Sequence, residues 1–241
     1  MGRKVRVRLR ALREELVRAH PSVGDPDAAI ARRAVVVDGR VVDNPASLVR
    51  EGAAISLRID EPLRGETKLR AALAAFRVNA RECVALDVGA AAGGFTRALL
   101  DGGARRVYAV DAGHGQLLGS LRQDERVVNL EATNLAALDR TLVPDTIDFV
   151  TLDLSYLSLA AAVPQLEAIS LARRAEAVAL VKPQFELGLA RPPTTAAQLE
   201  RAVALASRGF AGAGWTVVGR VRSPVRGARG AVEFFVHAQL S

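Results

Sequence analysis

The chain has 241 residues, 50% hydrophobic and 24% charged, with a formal net charge of +7. That balance argues for a packed core and against a disordered chain. No apolar run approaches the roughly 18 residues of a membrane span, and the basic start lacks a signal peptide's apolar stretch, so a cytoplasmic protein with no membrane partner is expected. The single cysteine, Cys83, excludes an intramolecular disulfide and a cysteine zinc site, and its valine and alanine neighbours predict a small buried hydrophobe.

The excess charge is uneven. Residues 1–58 hold 12 Lys/Arg against 7 Asp/Glu, which is five of the seven net charges in the first quarter of the chain. In that segment Leu9, Leu12, Leu16 and Val17 make one apolar stripe and predict a helix over Arg8–Ala19. After Pro21, Asp25 or Asp27 caps a second helix through Ala28, Ala29 and Ile30. The run from Ala34 to Val42 then changes period and carries Asp38-Gly39, a strong two-residue hairpin signal, before a closing strand over Ala53–Ile59. Residues 1–59 therefore read as a small basic α+β module. Its arginines Arg6, Arg8, Arg10, Arg32 and Arg33 are candidate contacts to an anionic partner.

Residues 60–67 have the Pro, Gly and charge content of a linker, and a second domain is expected over 68–241, with Lys68 beginning a helix. Strands are predicted at Val84–Val88, Arg106–Val110, Val127–Glu131, Ile147–Leu152, Ala177–Val181, Thr216–Val221 and Ala231–Ala238, with helical patterns between most of them. Alternating β and α segments with nearly continuous apolar strands predict an α/β fold: a doubly wound, mostly parallel seven-stranded sheet covered on both faces. The last two strands lack an intervening helix and are expected to close the sheet as an antiparallel pair.

In such a sheet, ligands sit at the carboxyl ends of the strands, so the turn after the first strand, Gly89 to Phe95, is the candidate cofactor loop. Its Gly-x-x-x-Gly-Gly spacing matches neither the dinucleotide fingerprint nor a phosphate-binding loop. Asp87 places an anion where a pyrophosphate would be repelled and the ammonium of a methionine moiety welcomed. Asp111 ends the second strand, where a carboxylate meets ribose hydroxyls, and Asn134 follows the third, within reach of an adenine edge. Asp87, Gly89, Gly93, Gly94, Phe95, Asp111 and Asn134 thus form the candidate site for S-adenosylmethionine.

Four ionisable residues supply candidate chemistry. Asp153 ends the fourth strand and Lys182 the fifth; Lys68 precedes the first strand and Glu233 is expected on the last. Lys182 follows Val178-Ala-Leu-Val181 and Glu233 sits among Val232, Phe234 and Phe235, flanks in which an unpaired charge is costly, so both need partners. A ribose hydroxyl is a poor nucleophile until its proton is drawn away, and a nearby ammonium favours the alkoxide. Lys182 is the candidate activating residue, with Asp153 and Glu233 holding the ammonium and Lys68 completing the network or meeting an RNA phosphate. His20, His114 and His237 are scattered, and no metal is expected.

The segments 87–95, 108–117, 121–128, Leu152-Asp-Leu-Ser155, 181–186 (Val-Lys-Pro-Gln-Phe-Glu) and Val232-Glu-Phe234 resemble the TlyA family of ribosomal RNA 2′-O-methyltransferases and haemolysin-like proteins. That family joins a ribosomal-protein-S-four-type RNA-binding module to an FtsJ-like methyltransferase domain. The resemblance implies a Lys-Asp-Lys-Glu tetrad at Lys68, Asp153, Lys182 and Glu233, S-adenosylmethionine as cofactor, and RNA, of ribosomal origin, as partner. This chain departs from the family pattern at Leu63-Arg-Gly-Glu66, at a short Leu187–Thr195 segment without the family's glycine-rich basic loop, and at Arg8-Leu-Arg10. The short segment motivates the alternative of an RNA-binding protein with an inactive methyltransferase domain; the intact tetrad opposes it.

Overall fold

The computed structural model describes residues 8–21, 23–31, 34–57 and 62–241, which fall in two compact units, 1–61 and 62–241. The sequence expectations for Arg6, Arg32 and Arg33 lie outside the described residues.

The first unit runs β1 (Leu9–Ala11), α1 (Leu12–Ala19), α2 (Pro26–Ala31), β2 (Val35–Val37), β3 (Arg40–Val41), β4 (Leu48–Arg50) and β5 (Ile55–Leu57). The expected first helix starts later than its leucine stripe suggests, because Leu9–Ala11 pairs antiparallel with β4, a strand too short to stand out in the sequence. The expected hairpin is present: Asp38 and Gly39 both adopt positive φ, as a two-residue turn between β2 and β3 requires, and β5 flanks β2 on its other side. Leu12, Leu16, Ile30 and Val35 are fully buried and form the unit's core. Glu15 is also fully buried. It accepts hydrogen bonds from Arg18 and from the Gly52 backbone N–H (2.7 Å), which hold its carboxyl down at about 2.

The second unit contains α3 (Arg64–Phe76), β6 (Val84–Val88), α4 (Gly94–Asp101), β7 (Arg106–Val110), α5 (Gly119–Arg122), β8 (Val127–Leu130), β9 (Ile147–Leu152), α6 (Leu159–Ala162), β10 (Leu171–Val181), α7 (Pro183–Glu186), α8 (Ala196–Gly212), β11 (Trp215–Arg222) and β12 (Phe234–Leu240). Its seven strands lie in the order β11-β12-β10-β9-β6-β7-β8. Strands β6 to β10 are parallel neighbours, and β12 runs antiparallel between β10 and β11, so the expected doubly wound sheet and its antiparallel closing pair are both observed. Alternate residues of β6 serve opposite faces: Val84, Leu86 and Val88 join a core with Phe210 of α8, and Ala85 joins one with Leu69 of α3 and Leu99 of α4.

Three expectations are corrected. Helix α3 begins at Arg64, so the last part of the expected linker is helical and Lys68 sits one turn inside rather than at the start. Glu233 precedes β12 instead of lying on it; its carbonyl still accepts the Ser223 N–H at 2.9 Å. Cys83 is partly exposed, with Sγ near the Arg81 carbonyl, because it lies in the turn before β6 rather than within the strand. Among the described residues, no helix is long and apolar enough to cross a membrane.

Candidate active site

The parallel strands all end at one rim of the sheet, and the crossover connections leave from there. Asp153 follows β9 and Lys182 follows β10. The antiparallel insertion of β12 returns Glu233 to the same rim, and α3, lying along that face, contributes Lys68. All four side chains line one pocket of about 370 Å³, joined by Arg64, Ser155 and the Gly227-Ala228 backbone.

Within the pocket the charges form two close pairs. Lys68 Nζ donates to Glu233 Oε2 at 2.6 Å, with side-chain exposures of only 10% and 5%. Lys182 Nζ lies 2.7 Å from Asp153 Oδ1 and donates a hydrogen bond to Ser155 Oγ at 2.7 Å. Asp153 Oδ1 is buried and lacks an aligned hydrogen bond, so Coulomb attraction is what ties it to the ammonium. Each of the two pairs is close to neutral in sum, which is how four groups that resist desolvation can share the pocket.

Gly227 does not stand out in the sequence, yet it makes room for Glu233: a Cβ there would overlap Glu233 Oε1. No sequence signal distinguishes it from other loop glycines. Ser155 is equally inconspicuous, although it lies two residues from Asp153 and supplies the only hydrogen bond described for Lys182 Nζ.

The candidate cofactor turn is built differently from the expectation. Asp87 is fully buried beneath the turn, where its oxygens accept hydrogen bonds from Thr96 (2.6 Å) and Thr151 (2.9 Å). Burial pushes its carboxyl up to about 6 against the pull of those two hydroxyls. Its side chain therefore fastens the turn from below, through Thr96 and Thr151, and is not exposed at the rim as the expectation of a direct ammonium contact requires. Gly89 takes φ +89, and a Cβ at that position would stand 2.5 Å from the Asp153 carbonyl oxygen. A Cβ on Gly94 would stand 2.8 Å from the Glu66 nitrogen of α3. Gly93 opens α4 in the left-handed region, with Leu117 and Leu121 packed against it, and Phe95 is buried against Phe235.

Asp111 is partly exposed after β7. Its Oδ2 accepts the Ala91 N–H at 2.9 Å and its Oδ1 the Gly113 N–H at 2.7 Å, tying the glycine turn to the next loop. Each oxygen keeps a second lone pair, enough to accept a ribose hydroxyl. Asn134 is exposed after β8. Between them, Glu131 accepts the backbone N–H groups of Gln116 (2.6 Å) and Leu117 (3.0 Å) and the Asn129 amide, which lowers its carboxyl to about 2. The structure thus brings the Gly89–Gly94 turn, Asp111 and Asn134 to successive strand ends on the rim that carries the tetrad, and leaves Asp87 underneath. A tight glycine turn beside a partly exposed carboxylate fits an adenosyl cofactor with a ribose diol.

In the first unit, Arg8 is exposed, and Arg10 is partly buried and paired with Glu51 at 2.8 Å. The histidines are scattered as expected: His114 is exposed, and His237 is buried, 3.0 Å from Glu176 Oε2 with its ring tilted against that of Phe76 at 5.4 Å.

The family model of FtsJ-like methyltransferases matches residues 63–240. The chain is 38% identical over 248 residues to the 16S/23S rRNA (cytidine-2′-O)-methyltransferase TlyA of Mycobacterium tuberculosis, covering 98% of this chain and 90% of that protein. It is 32% identical to Hemolysin A of Brachyspira hyodysenteriae, covering 84% and 88%. Among solved structures, a protein named as a candidate hemolysin from Streptococcus thermophilus aligns over 98% of this chain and 90% of its own, with 29% identity and a TM-score of 0.67.

Proposed function

The chain belongs to the TlyA branch of the FtsJ-like methyltransferase family, and from that premise we propose that it is an S-adenosylmethionine-dependent enzyme methylating a ribose 2′-hydroxyl of ribosomal RNA. The observation that carries the reading is the convergence of Lys68, Asp153, Lys182 and Glu233 on one pocket at the rim that also carries the glycine turn.

The geometry supports the following roles. Lys182 is the ammonium that meets the hydroxyl: it is held by Asp153 and Ser155, and it stabilises negative charge growing on the ribose oxygen as that oxygen takes up the methyl group and its proton leaves to solvent water. Lys68 and Glu233 are more deeply buried and paired with each other, which suits them to shaping the pocket wall and fixing the potential around Lys182. Gly89, Asp111 and Asn134 offer the cofactor a backbone turn, a carboxylate and an amide at successive strand ends. When bound, S-adenosylmethionine supplies a methyl group on a sulfonium. The protein's contribution is then largely positional, since methyl transfer needs oxygen, carbon and sulfur in line at roughly 3 Å spacing. Arg8, with the other arginines of the N-terminal module, is assigned to RNA anchoring, and a ribosomal substrate sets the work in the cytoplasm.

The intact tetrad favours activity over the inactive alternative, because a binding protein has no use for four charges that are difficult to desolvate. The test is mass mapping of ribose-methylated nucleosides after incubation with S-adenosylmethionine and ribosomal subunits. We expect 2′-O-methylation by the wild type and a loss of about two to four orders of magnitude in Lys182→Ala, with cofactor affinity retained in calorimetry. Methylation on a base, or none on any ribosomal RNA, overturns the reading.

A further inference from the structure

Beside the tetrad pocket lies a larger groove of about 900 Å³, and its walls carry four arginines, Arg191, Arg222, Arg226 and Arg229, but no carboxylate. Arg191 comes from the short segment between α7 and α8, Arg222 ends β11, and Arg226 and Arg229 belong to the β11–β12 connection. Among the described residues, none of the four forms a salt bridge. Arg226 donates only to a backbone carbonyl, that of Gly230, at 3.1 Å. The composition, which points to the N-terminal module, gives no sign of this cluster.

One loop builds both cavities. Gly227 and Ala228 face the tetrad pocket, Arg226 and Arg229 face the groove, and Ala231 lines both. The loop is held in shape by the Gly227 N–H to the Ala231 carbonyl at 2.9 Å and by Arg64 to the Arg226 carbonyl at 2.6 Å. A ligand leaving the tetrad pocket past Ala231 therefore enters a channel of guanidinium groups.

We infer that this groove seats the phosphates of a single-stranded stretch of RNA adjoining the methylated nucleotide, with Arg191, Arg222, Arg226 and Arg229 as its phosphate contacts. A ribose 2′-hydroxyl is the immediate neighbour of its own 3′-phosphate, so a pocket that takes the hydroxyl must open onto a cationic surface. Planar guanidinium forks match phosphate oxygens in pairs. Four like charges around one cavity repel one another, and a polyanion relieves that repulsion. Pro192, Pro193, Leu199 and Val232 add apolar lining, suited to base faces that a duplex would keep stacked inside.

The inference rests on the ribose-methylation reading, and the experiment separates the two. Full-length wild type, Arg222→Glu/Arg229→Glu and a control of equal charge change, Arg173→Glu/Arg174→Glu at the opposite end of β10, are titrated with a fluorescent single-stranded RNA of roughly 12 nucleotides across a salt series. Loss of two phosphate contacts should lower the slope of log affinity against log salt by about 1.4, at roughly 0.7 per contact. We expect that change in the groove variant only, together with at least a ten-fold rise in KM for ribosomal RNA. Slopes and KM values that match the control overturn the inference, as would an acidic polypeptide competing for the groove as well as the RNA does. A wild type that binds the oligonucleotide through the groove yet methylates no ribosomal RNA would overturn the methylation reading and leave the groove standing.

Discussion

Lys68 and Glu233 offer a sharp test of why charge is buried at this site. Their 2.6 Å pair has 10% and 5% of its side-chain surface exposed, so each group relies on the other for compensation. Removing one partner leaves a buried uncompensated charge, which destabilises a fold by about 3–5 kcal/mol, whereas replacing both with neutral groups of similar size is often close to neutral. Lys68→Met and Glu233→Gln should therefore each lower the unfolding midpoint of the catalytic unit by on the order of 10 °C, at about 2–4 °C per kcal/mol for a domain of this size. The double variant should recover most of that loss. Methyl transfer should stay low in all three, because the recovered fold lacks the potential that the pair sets around Lys182. Scanning calorimetry and a single-turnover assay on the same preparations supply both readings. Single variants within about 1 kcal/mol of wild type, or a double variant as unstable as the sum of its parts, would refute the claim that the two groups compensate one another. An active double variant would refute their place in the chemistry.

Two further outcomes follow from the same contacts. Gly227→Ala keeps an allowed backbone, φ −72, but its methyl group overlaps Glu233 Oε1, so the carboxylate must swing away from Lys68. Activity should fall ten-fold or more with a stability cost of about 1–3 kcal/mol, and wild-type turnover by this variant would show that the position of Glu233 is unimportant. Asp87 titrates near 6 in the fold against an ordinary aspartate value of 3.8, so between those values the unfolded chain ionises first and stability falls as pH rises. Asp87→Asn removes that loss, worth about 3 kcal/mol. In urea titrations its stability relative to wild type should climb by that amount from about pH 3 to pH 7, and a pH-independent difference would contradict it.

Much of the catalytic fold is legible because parallel strands buried on both faces read as unbroken apolar runs. The ranges of β6, β7 and β9 match their sequence expectations residue for residue. The start of β10 is hidden because Leu171-Ala-Arg-Arg174 is polar, and the ladder to β9 is irregular between Leu171 and Glu176. β1 and β4 are hidden because three residues cannot display a period and neither adjoins a hairpin signal like the one that marks β2 and β3. The tetrad is legible one residue at a time: Lys182 and Glu233 from the cost of leaving charge unpaired beside Val181 or Phe235, Asp153 from its place at a strand end, and Lys68 from its place before the first strand. Its pairing is not: Lys68 and Glu233 are 165 residues apart, and only the insertion of β12 between β10 and β11 brings them together. The role of Asp87 escapes the sequence for a related reason. Its position in the chain is the same whether its carboxylate faces a ligand or the hydroxyls of Thr96 and Thr151, and only the packing decides between the two.

That packing also links the cofactor turn to the chemistry more tightly than either motif alone implies. Gly89 lets β6 end against the Asp153 backbone, Gly94 lets α4 lie against α3, which carries Lys68, and Asp87 clasps Thr151 two residues before Asp153. Any side chain added at Gly89 or Gly94 must displace the backbone beside a tetrad residue, because the obstructing atoms are main-chain atoms rather than flexible side-chain ends. The glycines of this turn therefore set the positions of Asp153 and Lys68 as well as the shape of a ligand site. Variation in the turn should disturb alignment of the reacting atoms even where cofactor affinity survives, since a misplacement of about 1 Å is enough to cost a hundred-fold in rate.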